Sequence, residues 1–326
     1  MEALKRRSYV SCVTTGALGL ALISLAACNS GETTSTTGTP APGGSAGASS
    51  ALVFVSNTGD KTLTSVALKG DSGNAVVNTI DAAKFENVAL GDMQFSKEDW
   101  IFVNLAAANK VATIDPLTAA TPVHEANLAT GTRPVHMYRD RNDGEVIWIM
   151  NDGDNAAGTT TPGDDLINCA ASGGGSVTVV HNSHLGPGGT PPTVLGTTCV
   201  LADGHKVAAF AENKRVFVSS ETGGEIAVLD GDEASSNYRK MIARIDLCKT
   251  SKESTLPTPA TCNPENATGT TPFTPNNAAP HGIRWSTLTK KVYSIQEGYG
   301  EIAEIDPDAL TITKTFDLAG TPYTSY

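Results

Sequence analysis

Aromatic residues make up only 6% of this 326-residue chain, and charged residues only 17%. With a net charge of −11 and no basic run beyond Arg7, the chain lacks the clustered Lys and Arg that phosphate binding requires, so nucleic acid is excluded as a partner. No window of helical length carries a 3.6-residue apolar period, which excludes helical bundles and helical solenoids. The apolar run from Gly16 to Ala27 is too short to cross a membrane as a helix. None of the six cysteines stands in a Cys-x-x-Cys pair, so zinc-ribbon, redox and haem-attachment chemistry all lack their ligands. From residue 51 onward there is no Gly-x-Ser-x-Gly and no His-Glu-x-x-His, and nucleophilic catalysis has no motif to rest on.

What is present begins with Lys5, Arg6 and Arg7, the apolar run, and Leu25-Ala26-Ala27-Cys28. This is the layout of a secretory signal, and its last four residues resemble the lipobox of bacterial lipoproteins. The resemblance implies cleavage before Cys28, lipidation of Cys28 and attachment to a membrane through that lipid. Asn29, where an Asp would resemble an inner-membrane retention signal, points to the outer membrane of a Gram-negative envelope. Apart from Asn29 and Glu32, residues 29–50 are Gly, Ser, Thr, Ala and Pro with almost nothing to bury, as in a flexible tether. The expected organisation is a signal peptide over 1–27, a lipidated cysteine with its tether over 28–50, and a folded body over 51–326.

Setting aside Cys12 and Cys28 leaves Cys169, Cys199, Cys248 and Cys262 in an exported, oxidising setting. Four cysteines allow three pairings. The local one, Cys169 with Cys199 and Cys248 with Cys262, is preferred because each pair brackets an irregular stretch.

The body repeats itself. Short β-branched runs bounded by Gly, Asp or Asn recur as units, with second strands near Val53, Ile101, Ile147, Val216 and Val292. The first spacings, 48 and 46 residues, suit four strands per unit and predict an all-β propeller of four-stranded blades. Pro280-His281-Gly282-Ile283, then Lys291-Val292-Tyr293-Ser294-Ile295, then Gly300-Glu301-Ile302-Ala303-Glu304-Ile305-Asp306 resemble the YVTN family of propeller repeats. Five units are visible and a sixth opens at Gly320 to Tyr326. That tail either supplies the first unit's missing inner strand or begins further blades of a longer, seven-bladed ring, and the second alternative is favoured. Asp152 to Gly175 and Thr250 to Ala279 interrupt the repeat as long insertions.

Three histidines stand at one offset. His136, His205 and His281 each lie eleven residues before Ile147, Val216 and Val292, at the start of a unit's first strand, which in a propeller lines the central channel. Tyr323 in Pro322-Tyr323 matches His281 in Pro280-His281, while the second unit has Leu90 at that offset and Asp92 as the nearest polar side chain. Converging neutral imidazoles suit copper, zinc or iron and leave a coordination position open. The placement resembles the histidine-lined propeller of nitrous oxide reductase, although three such residues are too few for that enzyme's cluster. The structural alternative is that each histidine caps its own strand. His181 and His184 offer further nitrogen ligands, and Asn151 to Asn155 with Asp164 and Asp165 offer oxygens of the kind calcium takes, without the loop spacing that would hold it.

The expected function is a lipid-anchored extracytoplasmic module that binds a protein or small-molecule ligand at the propeller face, its insertions shaping that surface. The alternative is an envelope metalloprotein holding copper or another transition metal with His136, His205 and His281. Hydrolysis of the lactonase kind lacks an acidic channel cluster in the repeat.

Overall fold

A computed structural model describes residues 10–13, 51–68, 74–116, 122–155, 169, 173–182, 188–262 and 264–318. Cys28, the tether, His184, Asp164, Asp165 and Tyr323 lie outside these residues.

Five sheets follow one another along the chain. The first holds β1 (Val10–Val13), β2 (Ala51–Asn57), β3 (Thr62–Leu68) and β4 (Ala75–Ile80). The second is β5 (Met93–Phe95), β6 (Ile101–Leu105), β7 (Lys110–Asp115) and β8 (Val123–Ala129). Next come β9 (Pro134–Arg139), β10 (Val146–Asn151), β11 (Gly174–His181) and β12 (Thr193–Ala202). The fourth sheet contains β13 (Lys206–Phe210), β14 (Arg215–Ser220), β15 (Glu225–Asp230), β16 (Met241–Asp246) and the two-residue β17 (Thr268–Gly269). The fifth is β18 (Pro280–Ser286), β19 (Lys291–Gln296), β20 (Glu301–Asp306) and β21 (Thr311–Asp317). Within each sheet the strands pair in chain order, and the chain is an all-β propeller of four-stranded blades. Among the described residues the single α-helix, α1 (Thr250–Glu253), is one turn long.

The alternation of side chains explains why blades stack. In β10, Ile147 and Ile149 pack with Trp100, Phe102 and Val111 of the second sheet. Val146, Trp148 and Met150 point the other way, toward Phe210, Val216 and Val218 of the fourth. A strand covered on both faces reads as an unbroken apolar run, and β6 and β10 are buried at every position. The outermost blades differ, since β3 and β19 bury every second residue only. Hydrophobic clusters join the first sheet to the second, the second to the third, the third to the fourth and the fourth to the fifth. Among the described residues no such cluster joins the fifth to the first.

The sequence reading placed no strand in the signal segment, yet β1 pairs with the inner edge of β2, the place where the first unit lacks a strand. It runs parallel to its neighbour, whereas every other strand pair is antiparallel between strands of one blade. An unpaired inner edge would leave a row of backbone donors and acceptors unsatisfied, and in the uncleaved chain β1 covers it. The residues proposed for that place by the ring-closing alternative, Pro322 to Tyr326, fall outside the described residues.

Both expected disulfides are present, Cys169–Cys199 and Cys248–Cys262, with Cα atoms 5.0 and 5.3 Å apart. The second closes the foot of the insertion between the fourth and fifth blades. That insertion is also pinned by buried Glu253, which accepts from the Asn277 backbone N–H at 2.8 Å, the Ala260 N–H at 2.7 Å and the Tyr299 hydroxyl at 2.5 Å.

Candidate metal centre

The first strands of successive blades touch one another, β5 with β9, β9 with β13 and β13 with β18, so their N-terminal ends surround one shared axis. His136 lies on β9, His205 immediately before β13 and His281 on β18. The structure brings all three together. The Nε2 atoms of His136 and His205 face each other at 3.1 Å, and the ring centres of His205 and His281 are 4.8 Å apart.

Each ring is gripped from behind by a carboxylate at Nδ1. Asp92 Oδ2 lies 3.4 Å from His136, Asp152 Oδ2 3.1 Å from His205, and Glu297 Oε1 2.8 Å from His281. Two of these carboxylates also accept from the strand beside the histidine. Asp92 Oδ2 takes the Met137 N–H at 3.2 Å, and Asp152 Oδ1 takes the Lys206 N–H at 3.2 Å. A carboxylate at Nδ1 favours the tautomer with its proton there, which turns the Nε2 lone pair toward the axis. For His136 and His205 the lone pairs then point at each other across 3.1 Å, a repulsive arrangement that a shared proton or a metal cation relieves. Hydrogen bonding to Asp152 holds the His205 pKa above its ordinary value.

Local sequence sets these positions. Gly204, at φ 103°, turns the chain so that its N–H reaches the Asp152 carbonyl at 2.7 Å. A side chain there would meet the Thr222 hydroxyl at 2.3 Å. Ahead of β9, the segment Thr130 to Arg133 is seated on buried polar groups: the Gly131 N–H donates to Thr178 Oγ1 at 2.9 Å, and Thr132 N–H donates to Asn155 Oδ1 at 2.6 Å. Asn151 Nδ2 in turn donates to Ser176 and Thr178, both at 3.0 Å. The Asn151 to Asn155 stretch is therefore a seat for the His136 loop. Asn151 and Asn155 are engaged with their own blade and Asp152 with the fourth, rather than arranged as a calcium loop.

Of the three carboxylates at the rings, the repeat alignment noted only Asp92, as the polar side chain nearest the axial offset, and gave Asp152 and Glu297 no place beside the channel. Equal offset concealed unequal register. Ile147 pairs with Arg139, Val216 with Phe210, Val292 with Trp285 and Ile101 with Phe95. Counted from those pairs, Asp92 of the second blade, not Leu90, is the counterpart of His136. His181 does not reach the axis, because it pairs with Val146 at the far end of β10 while His136 pairs with Met150.

No protein-family model matches the chain, and no curated protein matches it either. Among solved structures it is similar to virginiamycin B lyase from Staphylococcus aureus, at 10% identity and a TM-score of 0.45, over 84% of this chain and 69% of that one. It is also similar to a periplasmic gluconolactonase from Pseudomonas aeruginosa, at 14% identity and a TM-score of 0.49, over 81% of this chain and 66% of that one. A 6-phosphogluconolactonase-like protein from Bacteroides uniformis matches at 11% identity and a TM-score of 0.49, over 82% and 68%. The chain thus spans about two thirds of the length of the solved structures it matches. At such identities and TM-scores these likenesses carry no argument about chemistry.

Proposed function

We propose that this β-propeller binds copper or another transition-metal ion, zinc included, on its axis through His136, His205 and His281, and that it does so as a binding module anchored to the cell envelope by a lipid on Cys28. One observation carries the reading: imidazoles from three successive blades converge with their Nδ1 atoms held by Asp92, Asp152 and Glu297. A histidine that merely capped its strand would need no carboxylate behind it and would gain nothing from facing another imidazole. Three neutral imidazoles hold a Lewis-acidic ion and leave a position for water or a small ligand. The insertion that follows Asp246 leaves its blade at this same end, so a ligand approaching the ion meets it.

The test is elemental analysis and calorimetric titration of the purified full chain loaded with copper or zinc, beside the variant with all three histidines changed to Ala. One equivalent lost in the variant is the expected result. Equal metal content in the two proteins would refute the axial site. Mass spectrometry of the exported protein checks the anchor: lipid on the cysteine of a chain starting at Cys28 is expected, and an unmodified Cys28 would refute it.

A further inference from the structure

At the opposite end of the third and fourth blades lies a second set of metal-ligating side chains, about 13 Å along β10 from His136 at the rise of an extended strand. Asp143 comes from the β9–β10 turn, His181 from the end of β11 and Glu233 from the β15–β16 connection, and one ligand atom from each lies within 4.8 Å of the others. We propose that Asp143, His181 and Glu233 form a second metal site, for a divalent ion of the zinc or manganese class, that fastens the third blade to the fourth.

The donor set argues for this class. An imidazole between two carboxylates combines the nitrogen ligand that zinc favours with the oxygen ligands that manganese favours, and a pair of carboxylates balances a divalent charge. Among the described residues neither Asp143 nor Glu233 has a lysine or arginine ion pair, and the His181 Nε2 atom lies 4.0 Å from Glu233 Oε1. The carboxylates are already oriented. Asp143 Oδ1 accepts from the Glu145 N–H at 3.1 Å, and Glu233 Oε1 accepts from the Tyr238 hydroxyl at 3.3 Å. Three ligands around one tetrahedral ion with bonds of about 2.1 Å stand about 3.4 Å apart, so closing the present set requires a little over an ångström of side-chain movement. His181 is half-buried and held by strand pairing to Val146 and Thr193, while Glu233 is exposed on a loop and free to make that movement.

The experiment uses the full chain carrying the three axial His→Ala changes, so that any metal bound at the axis is already gone. Titration with zinc chloride and manganese chloride is expected to show one remaining equivalent and a zinc-dependent rise of several degrees in the unfolding midpoint. Adding Asp143→Asn and Glu233→Gln keeps both hydrogen bonds but removes the anionic ligands, and is expected to weaken binding at least tenfold and abolish the rise. Glu233→Gln alone, at an exposed position, gives the same comparison without disturbing the β9–β10 turn. Absence of zinc and manganese binding up to 1 mM in the axial variant would overturn the proposal, as would equal affinity with and without the amide changes. The axial site is judged separately, by the difference between the native chain and its axial variant.

Discussion

Replacing Asp152 with Asn tests the axial centre without touching a histidine. Asp152 is 2% exposed and uses both oxygens, one on the His205 ring at 3.1 Å and one on the Lys206 N–H at 3.2 Å. An amide has only one acceptor oxygen. If it stays on the Lys206 N–H, the NH2 group faces His205 Nδ1, which must then accept and move its proton to Nε2, where it blocks coordination. Loss of an outer-shell carboxylate costs metal affinity about 10- to 100-fold, or roughly 1.4 to 2.7 kcal/mol. The expected effect lies at the upper end, because buried Asp152 also attracts the buried ammonium of Lys206, whose pKa desolvation has already lowered to about 8. The assay is competition for zinc against a chromophoric chelator at pH 7.5, with ring-nitrogen NMR to read the His205 tautomer. A variant that folds, binds within twofold of the native affinity and keeps its proton on Nδ1 would refute the reasoning. Asp92→Asn is expected to cost less, since Asp92 stands farther from its ring, at 3.4 Å.

Three other outcomes follow from the fold. Asp246→Asn is expected to stabilise the protein at pH 7 by about 1 kcal/mol, discounted for residual solvation. Burial first, then the charge of Glu225, raises the Asp246 pKa to about 6. A folded-state pKa above the unfolded value means that this residue's stability contribution is present below about pH 4 and lost as pH rises through about 6, so the variant's advantage in urea unfolding should vanish in acid. Gly131→Ala would place a methyl 2.3 Å from Ser176 Oγ and 2.5 Å from Asn151 Nδ2, and is expected to cost about 2 kcal/mol and weaken axial metal binding together. Replacing Cys248 and Cys262 with Ser opens a loop of 14-residue separation and should cost about 3 kcal/mol by denaturant titration, with axial binding retained.

Blade architecture was legible because every inner blade repeats a local pattern that physics allows only one use for. A run such as Val146-Ile147-Trp148-Ile149-Met150, bounded by Glu145 and Asn151, buries both faces only between two other sheets. The disulfide pairing was legible as the local one, although the stretch that Cys169 and Cys199 bracket holds β11 rather than irregular chain. The carboxylates at His205 and His281 were not. Asp152 belongs to the third blade but serves the histidine of the fourth, and Glu297 reaches His281 from beyond the next strand. Such contacts depend on how blades meet, which a repeat read along one dimension does not contain. His181 was visible as a ligand type, but its partners come from a turn 38 residues before it and a loop 52 residues after it.

The register explains why the axis is asymmetric. His136 and Asp92 are counterparts in the register of adjacent first strands, so successive blades present a carboxylate, then three imidazoles, toward one space. Were the histidines only a relic of repetition, their supports would repeat as well. They do not: His136 is held by a carboxylate just before the preceding blade's first strand, His205 by one that follows the preceding blade's second strand, and His281 by one within its own blade. Three different structural solutions deliver the same chemical state, a ring bonded at Nδ1 with Nε2 left toward the axis. Repetition can place three imidazoles at one offset, but it cannot by itself supply each with a carboxylate from a different place in the blade.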